Sequence, residues 1–361
     1  MTDPSPEPAV PAAPAIASPP VASPAPAEAD ELVVAPQEEG DERDSSFGDE
    51  DDWHSDTTSL ASSIVRGRLE NGRKYQSLRE GEYWGPSDDK QFETMALSHL
   101  MYLILDSQQP NNLFHSPIGP NPQNILDIGT GDGTWAIEVA DMFPSATVHG
   151  VDLYPPPAPW VPPNCIFQVD DVTREWTFRT KFDMIHMRML IGAFSPTELD
   201  KVYQSIYDNL QPGGWLESLE ADVRIMSDDG SIAEDNVLAQ WGPNFLACGE
   251  RMGRPINAQE TMRACFEKAG FTNIQEKLYK CPIGGWAKHK IYKDAGRVSK
   301  EHWKAGLEGW AMFLLTKFGA PQPWLPEEVL VYCAQMRQAL DDRSVHGYHL
   351  TRRVWAQKPL E

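Results

Sequence analysis

The sequence predicts an α/β fold built on an open, mostly parallel sheet, and three features point to it. The segment NILDIGTGDGTW, Asn124 to Trp135, reads as an apolar strand, a glycine loop and the first turn of a helix. Asp152 closes a second apolar stretch about 20 residues after Gly133, the offset at which nucleotide-binding α/β units place an acid on ribose hydroxyls. A third stretch, Cys165 to Val169, runs into Asp170 and Asp171. Three successive strands thus end in glycine or acid at one sheet edge, where open α/β sheets bind ligands.

Taken in order, residues 1 to 60 begin as a Pro/Ala run and turn acidic. They hold 15 Asp and Glu against Arg43 alone, which accounts for −14 of the net charge of −22. Such a segment buries too little apolar surface to offset its conformational entropy, so disorder is expected. Phe47 and Trp53 among the acids suit a docking motif, although composition favours a solubilising tail. A domain is expected from residue 61 to 361. Ser63 to Arg79 carries a weak basic patch, and Glu93 to Leu105 reads as a helix whose apolar face holds Met95, Leu97, Leu100, Met101, Leu103 and Ile104.

Ile125, Leu126 and Ile128 suit a strand buried on both faces. The helix after the glycine loop is signalled by Trp135, Ala136, Ile137, Val139, Ala140 and Met142, and Pro144 stops it. Thr147 to Val151 is the second strand and Cys165 to Val169 the third. Phe182 to Ile185 is a fourth, ending at His186, Met187 and Arg188. A helix from Glu198 to Leu210 and a turn at Gln211 to Gly214 lead into a fifth strand, Trp215 to Leu219. Helical patterns follow between Ser231 and Gly270, then a sixth strand near Asn273 to Tyr279. Tyr348 to Trp355 is strand-like and is expected to pair with the sixth as an antiparallel edge strand. Between them, residues 281 to 346 read as a helical insertion, with helices over Val298 to Leu315 and Pro326 to Leu340, long enough for a cap or an interaction face.

The loop discriminates among nucleotides. Thr134 stands where a dinucleotide fingerprint wants its last glycine, and the glycines Gly129, Gly131 and Gly133 follow Asp127. A carboxylate at the mouth of the first strand repels a pyrophosphate and attracts an ammonium group. A nucleoside with an amino-acid end, S-adenosyl-L-methionine, fits. The blocks LDIGTGDGTWAIEVADMFP, GVDLYPPPAPWVPPN, QVDDVTREW, FDMIHMRML and LQPGGWLE, together with YWGPSDDKQFETMALSHLMYLIL upstream, resemble the fungal S-adenosylmethionine-dependent methyltransferases of the LaeA/UMTA-like family from about Tyr75 to the C-terminus.

The resemblance implies a Rossmann-like seven-stranded sheet with helices on both faces, an antiparallel last strand and a helical insertion before it. It further implies that Asp127 holds the methionine end and that Asp152, with Leu153 beside it, holds the ribose hydroxyls. Asp171 and Val172 fall at the adenine edge, with Asp170 the register alternative. The implied role is methylation of a small molecule in secondary metabolism. The alternative is a regulator of secondary metabolism that acts through protein partners, docked by the acidic tail or the helical insertion. An N-terminal helical segment packs over the cofactor edge in this family, which makes Tyr83 or Trp84 a candidate for the pocket wall, with core packing the default for both.

Composition narrows the remaining classes. The charge outside the tail is still −8, without the basic stripe that phosphate neutralisation needs, so direct nucleic-acid binding is disfavoured. No apolar run reaches the about 18 residues of a membrane span, and MTDPSPEP lacks the parts of a signal peptide. Five scattered cysteines without C-x-x-C spacing suit reduced, intracellular thiols and no metal site, so a cytoplasmic location is expected, with the nucleus an alternative. An activated sulfonium methyl needs mainly in-line placement of its acceptor, so a dedicated base is not required. His186 is the candidate base because of its place at the fourth strand's end, while a hydrogen bond to cofactor or backbone is the plainer reading. Arg188 suits an acidic substrate or a structural ion pair.

Overall fold

The computed structural model describes residues 64–361, so the expected disorder of residues 1 to 60 falls outside the described residues. After a helical turn at residues 64–66 comes a two-stranded antiparallel hairpin, β1 (Arg68–Glu70) and β2 (Arg73–Tyr75), where the sequence by itself shows only a basic patch. Helix α1 (Asp89–Leu105) follows, capped by Asp88, whose carboxylate accepts from the Gln91 N–H. The same carboxylate accepts two 2.7 Å hydrogen bonds from Arg73, which ties the hairpin to the helix start. Of the anticipated apolar face of α1, Met101 is fully buried and Leu103 and Ile104 pack half-buried against the core, but the helix also buries polar residues. Gln91, Thr94, Ser98 and His99 are buried, whereas Leu100 is 45% exposed, because the helix turns a polar side toward the pocket described below.

The main sheet has seven strands: β3 (Asn124–Ile128), β4 (Thr147–Asp152), β5 (Cys165–Val169), β6 (Phe182–Arg188), β7 (Leu210–Ala221), β8 (Thr272–Pro282) and β9 (Tyr348–Gln357). Their spatial order is β5-β4-β3-β6-β7-β9-β8. Pairings from β5 through β7 are parallel, and β9 runs antiparallel to both neighbours. Order reverses at β3, where β4 and β6 flank it on opposite sides, and a ligand crevice forms outside the strand ends at such a switch point.

Two strand expectations need correction. The last strand is not at the edge: β9 inserts between β7 and β8, and β8 is the edge. Burial explains this, since β9 buries Thr351, Arg353, Val354 and Ala356, while β8 exposes Gln275, Glu276 and Lys280, and the last two are charges that discourage edge-to-edge pairing. The fourth strand also runs three residues further than expected, so His186 lies within β6, directly opposite Asp127 of β3.

Helices α2 (Thr134–Met142), α3 (Pro196–Asn209), α4 (Val237–Met252), α5 (Ala258–Ala269), α6 (Lys290–Phe318) and α7 (Pro326–Asp341) complete the fold. Ser195 and Glu198 form a capping box at the start of α3, with Pro196 at the first helical position where its missing N–H costs nothing. The helical insertion is present as α6 and α7, and α6, at 29 residues, begins two turns earlier than the sequence pattern suggests. It packs along α1 and against α4 and α7 around a core of Trp241, Phe245, Trp303, Leu307, Phe313 and Tyr332.

Candidate active site

The glycine loop turns the chain from β3 into α2. Gly129 and Thr130 donate backbone hydrogen bonds to the Val151 carbonyl at 2.8 and 3.1 Å, which pins the loop to the end of β4. Gly131 and Gly133 have φ of +60° and +82°, the left-handed region that side chains disfavour. A Cβ on Gly131 would stand 2.9 Å from the Met95 sulfur of α1, and one on Gly133 2.6 Å from the Phe167 ring of β5. Both positions therefore favour glycine by conformation, and Gly133 by space as well.

Asp127 and His186 form a buried pair beneath this loop. The His186 Nδ1–H donates to Asp127 Oδ1 at 2.7 Å, and the Thr130 hydroxyl donates to Asp127 Oδ2 at 2.7 Å. The imidazole stacks on Trp135, with ring centroids 3.7 Å apart and 7° between planes. Burial pushes the His186 imidazole below its usual value, partly opposed by its hydrogen bond to Asp127. Thr130, which sequence reasoning passed over, thus links the loop to the carboxylate, and Trp135 is both core and the ring's platform.

Asp152 accepts from the Gly131 N–H at 2.9 Å through Oδ2 and from the Tyr154 N–H at 3.1 Å through Oδ1. Burial pushes its carboxyl up to about 6, although these N–H groups favour the ionised form. Asp170 is exposed and accepts from the Asp171 N–H at 2.7 Å. Asp171 accepts from the Thr173 hydroxyl at 2.7 Å and faces Arg79 at 3.8 Å. Arg188 shares a 3.1 Å hydrogen bond with His99 and has no carboxylate partner among the described residues, so the anticipated structural ion pair does not form there.

A single cavity joins these groups. Asp127, Gly129, Gly131, Asp152, Leu153, Asp170, Asp171, Val172 and His186 all line it, whereas Gly133 does not and serves to turn the chain into α2. Tyr83 and Trp84 line it as well. Beyond the strand ends the same cavity continues between α1, α4 and α6, where Trp241, Phe245, His302, Trp310 and Leu314 form its walls together with His349 of β9. The helix that supplies His302, Trp310 and Leu314 was expected as part of the insertion, but its meeting with α4 and β9 was not legible locally, because these segments lie far apart in the chain.

Residues 106–276 match the family described as the methyltransferase domain. Methyltransferase pytC of Aspergillus terreus is 32% identical over 310 residues, covering 85% of this chain and 93% of the relative. The secondary metabolism regulator laeA of Aspergillus fumigatus is 31% identical over 295 residues, with 81% and 76% covered. The chain belongs to the LaeA-like methyltransferases. A further relative, the probable methyltransferase tdiE of Emericella nidulans, is 30% identical over 296 residues, with 81% and 88% covered. This methyltransferase uses S-adenosylmethionine, and the site fits it: the glycine cradle admits a ligand against the backbone, and carboxylates stand at the ends of β4 and β5.

No helix among the described residues of the methyltransferase is long and apolar enough to cross a membrane.

Proposed function

We propose that this methyltransferase modifies a small, largely apolar acceptor of secondary metabolism, with the α6–α7 insertion as its cap. The observation that supports this reading is the continuity of the cavity: the wall that carries Asp127, Asp152 and Asp171 leads without interruption to one of aromatic side chains supplied by α4 and α6. In this reading Asp152 receives the ribose hydroxyls, with Leu153 beside it. Asp171 and Val172 border the adenine, and Asp170, which is exposed, is the weaker candidate. Asp127 acts on the methionine ammonium chiefly as a charge beneath the loop, since both its oxygens already accept hydrogen bonds. When bound, the cofactor supplies a sulfonium methyl that is already activated, so the chain's task is to align the acceptor and exclude water.

His186 is then a positioning residue. Its ring is buried, and the proton on Nδ1 is committed to Asp127. His186→Ala is expected to weaken S-adenosylhomocysteine binding about three- to tenfold, the scale of one lost hydrogen bond and its orientation. His186→Asn, which retains a donor, should lose less. Calorimetry giving unchanged affinity in both variants would show that Asp127 holds its place without the ring.

The acceptor class is tested by incubating the purified protein with methyl-labelled S-adenosylmethionine and extract of the organism that encodes it. Label is expected in organic-soluble small molecules, and to disappear with Asp152→Ala. Label recovered only in protein would overturn the small-molecule reading and favour action on a protein partner, the reading that similarity to the regulator laeA keeps in play.

A further inference from the structure

The acceptor end of the cavity contains two histidines, His302 of α6 and His349 of β9, whose protonation the structure determines. His302 Nδ1 lies 2.9 Å from the Thr94 carbonyl, which only accepts, so Nδ1 carries the proton and Nε2 is left as an acceptor. His349 Nδ1 lies 3.3 Å from the indole N–H of Trp303, which only donates, so Nδ1 accepts and Nε2 carries the proton. The two rings therefore present opposite functions, an Nε2 lone pair and an Nε2–H. Both residues line the cavity, both are more than nine-tenths buried, and neither Nε2 has a hydrogen-bond partner among the described residues.

Burial keeps both rings neutral, with His302 pushed down to about 4 and His349 to about 3, where the neighbouring His302 adds to the effect. Trp310 packs on His302 with centroids 5.0 Å apart, and Trp303 packs on His349 at 5.8 Å. The site also adjoins the cofactor loop, because Thr94, which holds His302, precedes the Met95 that packs on Gly131. A pair made of one acceptor and one donor on an aromatic wall matches a group that is both donor and acceptor on a flat apolar body.

Resting on the reading of this cavity as the acceptor site, we propose that His302 and His349 together recognise a hydroxyl group on an aromatic acceptor, the hydroxyl donating to His302 Nε2 and accepting from His349 Nε2–H. Buried groups arranged for a hydroxyl discriminate strongly against an analogue that leaves one of them unpaired. Neither an amine cation nor a carboxylate suits the pair, since one lacks an acceptor and the other a donor.

The test uses 2-naphthol, 2-methoxynaphthalene and naphthalene as probes, titrated by quenching of the cavity tryptophans with and without S-adenosylhomocysteine. The wild-type protein is expected to bind 2-naphthol at least tenfold more tightly than either analogue. In His302→Leu that preference should vanish while S-adenosylhomocysteine affinity stays within twofold, and His302→Gln, which retains an acceptor, should restore part of it. Equal affinities for the three probes, no saturable binding of 2-naphthol, or a preference that survives in His302→Leu overturns the proposal. Failure of S-adenosylhomocysteine itself to bind the wild-type protein would instead sink the functional reading of the cavity, so the two failures are distinguishable.

Discussion

Asp152→Ala is expected to lower affinity for S-adenosylhomocysteine at least tenfold, and by roughly 10² or more if both ribose hydroxyls donate to the carboxylate, since each charge-assisted hydrogen bond contributes about 1.5 to 3 kcal/mol. The loss is compounded within the protein, because the same carboxylate accepts from the N–H groups of Gly131 and Tyr154 and so shapes the glycine loop. Binding should also depend on pH. The Asp152 carboxyl ionises at about 6, and ribose hydroxyls as donors favour the ionised form. Affinity measured by calorimetry should be flat above pH 7 and fall below 6 by up to about tenfold per unit, and Asp152→Asn should remove that dependence. For the unliganded protein the sign is opposite. A carboxyl whose folded value is raised from 3.8 to about 6 contributes stability below 3.8 that is lost as pH rises through 6. A pH-independent affinity in the wild-type protein would show that Asp152 does not contact the ligand as an ionised group.

Arg353→Leu is expected to cost about 3 to 5 kcal/mol of stability, the range for removing one partner of a buried ionic network. Arg353 of β9 is fully enclosed and donates to Glu217 of β7 and, at 3.1 Å, to Asp106 beyond the end of α1. Asp106 also accepts from Lys277 at 2.7 Å and from the Tyr279 hydroxyl, and Glu217 accepts from the Ser116 N–H and hydroxyl, each at 2.8 Å. Truncating the arginine leaves the buried Asp106 with His115 beside it and Lys277 at the margin, and the buried Glu217 without its guanidinium partner. Melting should shift downward by roughly 5 to 12 °C at neutral pH. Burial raises the Asp106 carboxyl, but His115, Arg353 and Lys277 outweigh it and hold the group down at about 2. Its stabilisation is therefore present above the ordinary value of 3.8 and lost as pH falls toward 2, so the difference between wild type and Arg353→Leu should narrow below pH 4. A melting point within 2 °C of wild type at neutral pH would show that the network contributes little. Because the network anchors the end of α1, whose Met95 packs on Gly131, the variant should weaken cofactor binding as well.

By itself the sequence determined the features that depend on neighbours in the chain. Strand, glycine loop and helix are encoded within Asn124 to Met142, since an apolar run, left-handed glycines and a helical repeat act over a few residues. The acids at the ends of β4 and β5 were legible for the same reason, and residues expected at one edge do line one cavity. Even the cap's two helices showed in their periodicity.

Only the tertiary structure decided what depends on partners far apart. The position of β9 between β7 and β8 follows from competition between two strands for the buried place, and both sequences are strand-like taken singly. Helix α1 buries a polar side against the cavity as well as Met101 and Tyr102 against the core, so apolar spacing alone shows only part of what the helix covers. His186, first placed beyond a strand end, sits inside β6 because the β3–β6 register sets it against Asp127. The opposite tautomers of His302 and His349 come from Thr94 and Trp303, partners on other elements of the fold. A side chain's protonation and exposure are properties of the packed surroundings, and those surroundings exist only once the chain has closed on itself.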